Sequence, residues 1–145
     1  MKNQIKAFFD NEILSYLFFG GATTLVSILS RVAIYRISHQ EVLATILANI
    51  IAILFAFITN DAFVFKQERK NWAIRLAKFF LARFSTLGLD FLLTYIFVTS
   101  YPNIIGQFVE QNIDRVNTVE TILAQILIII LNYISSKIYI FKRGN

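Results

Sequence analysis

Six polar side chains stand where polarity is expensive. Asn60, Asp61, Arg83, Asp90, Asn132 and Lys137 all fall inside long apolar runs of the 145-residue chain. An ionisable group near a bilayer centre costs about 2.5–3.5 kcal/mol on insertion scales, so each asks for a reason. At a helical rise of about 1.5 Å per residue, Asn60, Asp61, Arg83 and Lys137 reach a common depth just above the basic segment 66–78, and Asp90 lies near the middle. Two bases with hydrogen-bonding neighbours in one layer make a site for an anion. Arg83 and Asp90 are two helical turns apart and share a face, and Ser27, Asn49, Gln125 and Asn132 extend the polar stripe if they turn to the same interior. In the simpler structural alternative Lys137 and Arg31 reach out to the headgroups, Asp61 pairs with Lys137, and Asp90 bonds a neighbouring helix.

Other chemistries are poorly served. The chain has no cysteine and a single histidine, His39, which removes disulfides, thiolate nucleophiles and cysteine metal sites. No pair of carboxylates, no Ser–His pair and no metal set is expected in a shared layer, so the reading is not an enzyme and calls for no cofactor. The formal charge of +5 suits an anionic membrane surface better than nucleic acid, because the aromatics lie within the apolar runs and not among the bases, as a nucleic-acid face requires.

The elements that must position these groups are membrane spans. The chain is 57% hydrophobic and 16% charged with mean hydropathy +0.61, against about 45–50% and about 25% in a soluble domain. A bilayer core needs about 20 helical residues to cross, and residues 13–36, 42–65, 76–100 and 118–141 each suffice. The expected fold is a single all-α domain over 1–145, an integral membrane four-helix bundle with short interfacial helices. One of these falls at 1–12, where Ile5, Phe8, Phe9 and Glu12 recur at helical spacing. Another is expected after Pro102, although a loop there fits as well. The first span is too long for a cleaved signal peptide.

Base counts give the orientation, since short segments rich in Lys and Arg stay cytoplasmic. Lys2, Lys6, Lys66, Arg69, Lys70, Arg75, Lys78, Lys142 and Arg143 lie on one side, against Arg36 and Arg115 on the other. Both termini are therefore expected in the cytoplasm.

An internal match runs through the chain. Residues 57–66 read F-I-T-N-D-A-F-V-F-K and residues 133–142 read Y-I-S-S-K-I-Y-I-F-K, in register. With two spans in each half, such a match would make a 2+2 parallel repeat of the sort from which transporters grow. The alternative is that any two helices leaving a membrane end in aromatics and a lysine. Gly20 and Gly21 with Ala22, Thr23 and Thr24 make a small-residue face that lets helices approach closely, within the bundle or between copies. Four helices make a thin wall for a large solute, so a homo-oligomer is expected.

Four segments carry a family resemblance: F-G-G-A-T-T-L-V (19–26), F-A-F-I-T-N-D-A-F-V-F (55–65), F-F-L-A-R-F-S-T-L-G-L-D (79–90) and I-L-N-Y-I-S-S-K-I-Y-I-F (130–141). Together they resemble the spans of the GtrA-like family, most closely its Gram-positive branch linked to teichoic acid glycosylation. Asn60 and Phe65 match the family's N-x-x-aromatic-V-F ending, and Arg83, Asp90, Asn132, Tyr133, Ser136 and Lys137 match its later spans. The position after Asn60, usually basic in the family, is Asp61 here, which shifts phosphate contact toward Arg83 and Lys137. The resemblance implies a bacterial cell-membrane protein that flips a polyprenyl-phosphate-linked monosaccharide, undecaprenyl phosphate carrying one hexose or aminosugar, from the inner to the outer leaflet. Membrane glycosyltransferases would use it to decorate a cell-wall polysaccharide such as teichoic acid. On that reading Arg83 and Lys137 hold the phosphate, and Asn60, Asp90 and Asn132 meet sugar hydroxyls, beside Asp61. Two other classes stay open: a non-transporting partner of a membrane glycosyltransferase, and a small multidrug exporter, disfavoured because such exporters place a carboxylate in the first span.

Overall fold

A computed structural model describes residues 1–142; Arg143, counted above among the cytoplasmic bases, lies outside the described residues. The described chain is helical, and four of its helices are long and apolar enough to cross a membrane: Glu12–Ser38, Glu41–Val64, Trp72–Ser100 and Ile113–Ile140. It divides into two compact units, residues 1–76 and residues 77–142.

The first unit holds α1 (Lys2–Asp10), α2 (Glu12–Ser38) and α3 (Glu41–Thr59). Asn11 ends α1 and starts α2: its Oδ1 accepts the Leu14 amide at 3.1 Å, satisfying one of the orphan donors of a helix start. Phe8 and Phe9 of α1 turn back onto Phe18, with the Phe9 and Phe18 rings edge to face at 5.2 Å. At the other end of α2, His39 takes the left-handed conformation (φ 54°) and its amide bonds the Tyr35 carbonyl, a C-cap that reverses the chain. α2 and α3 then pack along an alanine stripe, Ala44, Ala48, Ala52 and Ala56, all buried. Four-residue spacing keeps these methyls on one helix face, and their size lets the backbones close without a hydrophobic driving force from lipid.

α3 does not end as an α-helix. Residues Asn60–Val64 form a π-helical turn, closed by the Phe65 amide on the Asn60 carbonyl at 2.9 Å. The added residue per turn carries Phe65 against Tyr16 of α2, ring centroids 6.5 Å apart.

α4 (Trp72–Thr94) begins in the first unit, before the expected span start at 76, and runs through the second, widening into a π-helical segment Tyr95–Ser100. After Pro102 comes only a four-residue helix, α5 (Asn103–Gly106), then turns to 112. A Cβ at Gly106 would meet the Gln111 side-chain oxygen, the end of a flexible side chain that can swing aside. Asn112 caps α6 (Ile113–Ser135), accepting from the Asp114 and Arg115 amides at 3.0 and 3.2 Å. α6 also ends in a π-helical turn, Ser136–Ile140, closed by the Phe141 amide on the Ser136 carbonyl at 2.8 Å. Phe141 packs on Phe79 of α4 at 6.0 Å.

The second and fourth spans end alike, whereas the first closes on its His39 cap and the third on the segment Tyr95–Ser100. The π-helical turns, 60–64 and 136–140, fall at the same place in the matched segments 57–66 and 133–142. Counting back from each, every fourth residue is shielded: Asn60, Ala56, Ala52, Ala48 and Ala44 in one, Ser136, Asn132, Ile128, Ala124 and Glu120 in the other, of which only Ile128 is half-buried. The opposite faces carry large apolar side chains outward, as with Ile46, Ile50 and Ile58 of α3 and Ile122, Ile126 and Ile130 of α6. Water would not tolerate such a stripe; a hydrocarbon solvent does.

Candidate polar sites in the two units

In the first unit the polar positions of the second span are divided between structure and availability. Asn60 is buried, its amide donating to the Ala56 carbonyl at 2.7 Å, while its Oδ1 finds no partner among the described residues. An unmet buried acceptor costs about 1–3 kcal/mol, so Asn60 carries an open hydrogen-bonding position at the π-helical turn. Asp61 is committed elsewhere. Arg75 grips its carboxylate with Nε on Oδ1 at 2.5 Å and Nη2 on Oδ2 at 3.1 Å. The rest of the guanidinium donates to the Lys70 carbonyl at 2.6 Å and the Glu68 carbonyl at 2.7 Å. One buried arginine thus ties the end of α3 to the basic loop, whose reversal uses positive φ at Lys66 and Asn71. Lys66 pairs with Asp10 at 3.2 Å in the open. Arg31 pairs with Glu41 at 3.2 Å, also exposed, so it helps to clasp α2 to α3.

In the second unit α4 and α6 run side by side, joined by a ladder of polar and aromatic contacts. Lys78 lies 4.9 Å from the Tyr139 ring, and Phe79 meets Phe141. Further along, Thr86 donates to Asn132 Oδ1 at 3.2 Å. Near the far end, Thr94 Oγ1 stands 3.4 Å from both oxygens of Glu120. Phe79, Arg83, Thr86, Asp90 and Thr94 follow helical spacing on one face of α4, which is the stripe expected from Arg83 and Asp90, now longer.

The Arg83 guanidinium lies 4.6 Å from the Phe79 ring centroid, an attraction worth about 0.5–2 kcal/mol. No acidic side chain pairs with it among the described residues. Asp90 is half-buried and likewise forms no ion pair there. Lys137 sits on the π-helical turn, its Nζ 3.3 Å from the Tyr133 hydroxyl and 5.6 Å from that ring's centre. The structure therefore brings Asn132 next to the Arg83 turn through Thr86, and gives Lys137 an aromatic neighbour.

Sequence reasoning missed four residues. Arg75, counted above only among the cytoplasmic bases, is buried and structural. Thr86 and Thr94 were signalled by their register with Arg83. Glu120 is 3% exposed, and its partner Thr94 stands one turn after Asp90 on α4, so two carboxylates do share a region of the second unit. It lines an otherwise apolar cavity of about 490 Å³ whose walls include Leu93, Phe97, Ile105, Phe108 and Leu127.

Comparison with known proteins places these positions in a family context. Residues 15–141 match the family model described as GtrA/DPMS, transmembrane domain. The chain is 34% identical over 135 residues to the uncharacterized membrane protein YwcD of Bacillus subtilis, covering 88% of this chain and 94% of that one. It is 29% identical over 136 residues to the cell wall teichoic acid glycosylation protein GtcA of Listeria innocua, and 30% identical over 136 residues to that of Listeria monocytogenes. Each of those two matches covers 91% of this chain and 86% of the relative. No solved structure matches.

Proposed function

This chain is a member of the GtrA/DPMS transmembrane domain family, and from that premise we propose that it flips a polyprenyl-phosphate-linked monosaccharide across the bacterial cell membrane. The sugar then serves glycosylation of a cell-wall polymer such as teichoic acid, the process for which the Listeria relatives are named. A sugar phosphate crosses lipid slowly because its charge and hydroxyls lose water. The protein need supply only a polar path, since the prenyl tail is at home in the bilayer.

The observation that carries this reading is Arg83: a guanidinium in a membrane-spanning helix, stacked on Phe79 and paired with no carboxylate among the described residues. Arginine matches a phosphate's oxygens with a fork of donors. Arg83 and Lys137 hold the phosphate, and Asp90 and Asn132 offer hydrogen bonds to sugar hydroxyls. In the first unit Asn60 Oδ1 is the acceptor open to a ligand donor, whereas Asp61 serves Arg75. The alike π-helical turns and four-residue stripes of the second and fourth spans support a parallel duplication, and the base counts favour both termini in the cytoplasm.

Arg83→Ala tests the proposal. The variant inserts and folds, yet delivers no labelled lipid-linked sugar to the outer face of vesicles holding the purified protein, and cells carrying it lack wall glycosylation. Normal glycosylation in that variant overturns the role of Arg83. Wild-type protein that restores glycosylation in cells but moves no lipid alone in vesicles is instead a partner of a transferase.

A further inference from the structure

We propose that Glu120 of α6 is an exchangeable proton site facing an apolar cavity, through which the transport cycle is driven by a proton gradient. The proton site stands on the geometry below; its coupling to transport rests on the function proposed above.

Packing does not call for an acid at this position. Glu120 lies sixteen residues before the π-helical turn of α6, as Ala44 does before that of α3. Ala44 is 0% exposed, so a methyl group fills the matching place in the first unit. Where a methyl suffices, a buried carboxylate is an expense.

The surroundings offer that carboxylate no cation. Its one polar contact among the described residues is Thr94. The charged residue one turn earlier on α4, Asp90, is itself an acid and supplies no counter-charge. On α6 itself, Arg115 is exposed and bound to Glu110 at 2.9 Å, and Asp114 is exposed at the helix start. From the segment after Pro102, Ile104, Ile105 and Phe108 line the cavity; Tyr95 and Tyr101 are exposed. The ionised group therefore has its charge unmatched in apolar walls, and the cation small enough to discharge it on the spot is a proton: carboxylate plus H⁺ gives the neutral acid, and release reverses it.

Thr94 is built to serve both forms. Thr23, Thr24 and Thr59 return their hydroxyls to the carbonyl four residues back, but the Thr94 hydroxyl turns to Glu120. A hydroxyl donates to a carboxylate and accepts from a carboxylic acid. Directly after it α4 widens into the π-helical segment Tyr95–Ser100, an irregularity that recurs at functional positions. Protonation here changes the charge of the stripe that runs through Asp90 to Arg83, which links the state of Glu120 to how strongly an anion is held.

The test uses the full chain reconstituted in vesicles. Infrared difference spectra across a pH titration show a carboxylic acid band that Glu120→Gln and Glu120→Ala both remove, while circular dichroism checks that each variant keeps its helices. Persistence of that band in both variants overturns the proton site. With labelled lipid-linked sugar, an imposed pH gradient accelerates wild-type movement, and Glu120→Gln keeps gradient-free exchange while losing the acceleration. Acceleration by a sodium gradient instead, or equal acceleration in the variant, overturns the coupling. Should the wild type move no sugar at all, the transport reading and the coupling fail together, and the infrared band still decides the proton site.

Discussion

Two arginines of α4 show how much a partner decides. Arg75 spends its donors on both oxygens of Asp61 and on the carbonyls of Lys70 and Glu68, with side-chain exposures of only 10% and 16% for the pair. Removing one member of a buried pair costs about 3–5 kcal/mol. Arg75→Leu is therefore expected to lower the unfolding free energy in detergent by about that amount, and Arg75→Lys recovers only part of it because a point charge cannot reproduce the fork. Arg83, which lies over the Phe79 ring, behaves oppositely: Arg83→Ala leaves stability within about 0.5–2 kcal/mol while abolishing sugar delivery. A denaturant titration beside a wall-glycosylation assay separates the two. Sequence alone did not distinguish these roles. Asp61 and Arg75 meet across a reversal that depends on positive φ at Lys66 and Asn71, and no periodicity encodes a contact made through a loop.

At the scale of elements, the long helices were legible because hydrocarbon thickness imposes a length that composition reveals. The π-helical turns were not, since one additional residue in a hydrogen-bonded ring leaves hydropathy unchanged. What the sequence did hold was their register, in the match between 57–66 and 133–142. Hydropathy alone starts the fourth span at 118, which leaves Glu120 at its edge. The helix starts at Ile113 under its Asn112 cap, which puts Glu120 two turns inside; asparagine before a helical run was the available signal. The wide turn itself can be tested. Deleting Ala62 restores α-helical register across 60–64, rotates Phe65 by about 100° and takes it off Tyr16. Circular dichroism should keep its helical signal, thermal stability should fall, and glycosylation should be lost. Retained function in the deletion variant means that the π-helical geometry is incidental.

For the whole molecule, the distribution of charge makes the most direct prediction. Burial of Arg75 against Asp61 removes one base from the cytoplasmic tally, and the bias toward Lys2, Lys6, Lys66, Arg69, Lys70, Lys78, Lys142 and Arg143 over Arg36 and Arg115 survives. Because the chain has no cysteine, every introduced one reports alone. Single cysteines at Gln4, Glu68 and Lys142, all exposed, should resist a membrane-impermeant maleimide in intact cells and react once the membrane is opened. Cysteines at Gln40 and Gln107, exposed at the opposite ends of the helices, should react in intact cells. The inverse pattern would put the basic loop outside, where no anionic leaflet attracts it, and would reverse the direction of transport proposed here. Reaction at Gln4 without reaction at Lys142 would mean an odd number of crossings, and the two halves could not then be parallel copies of one another.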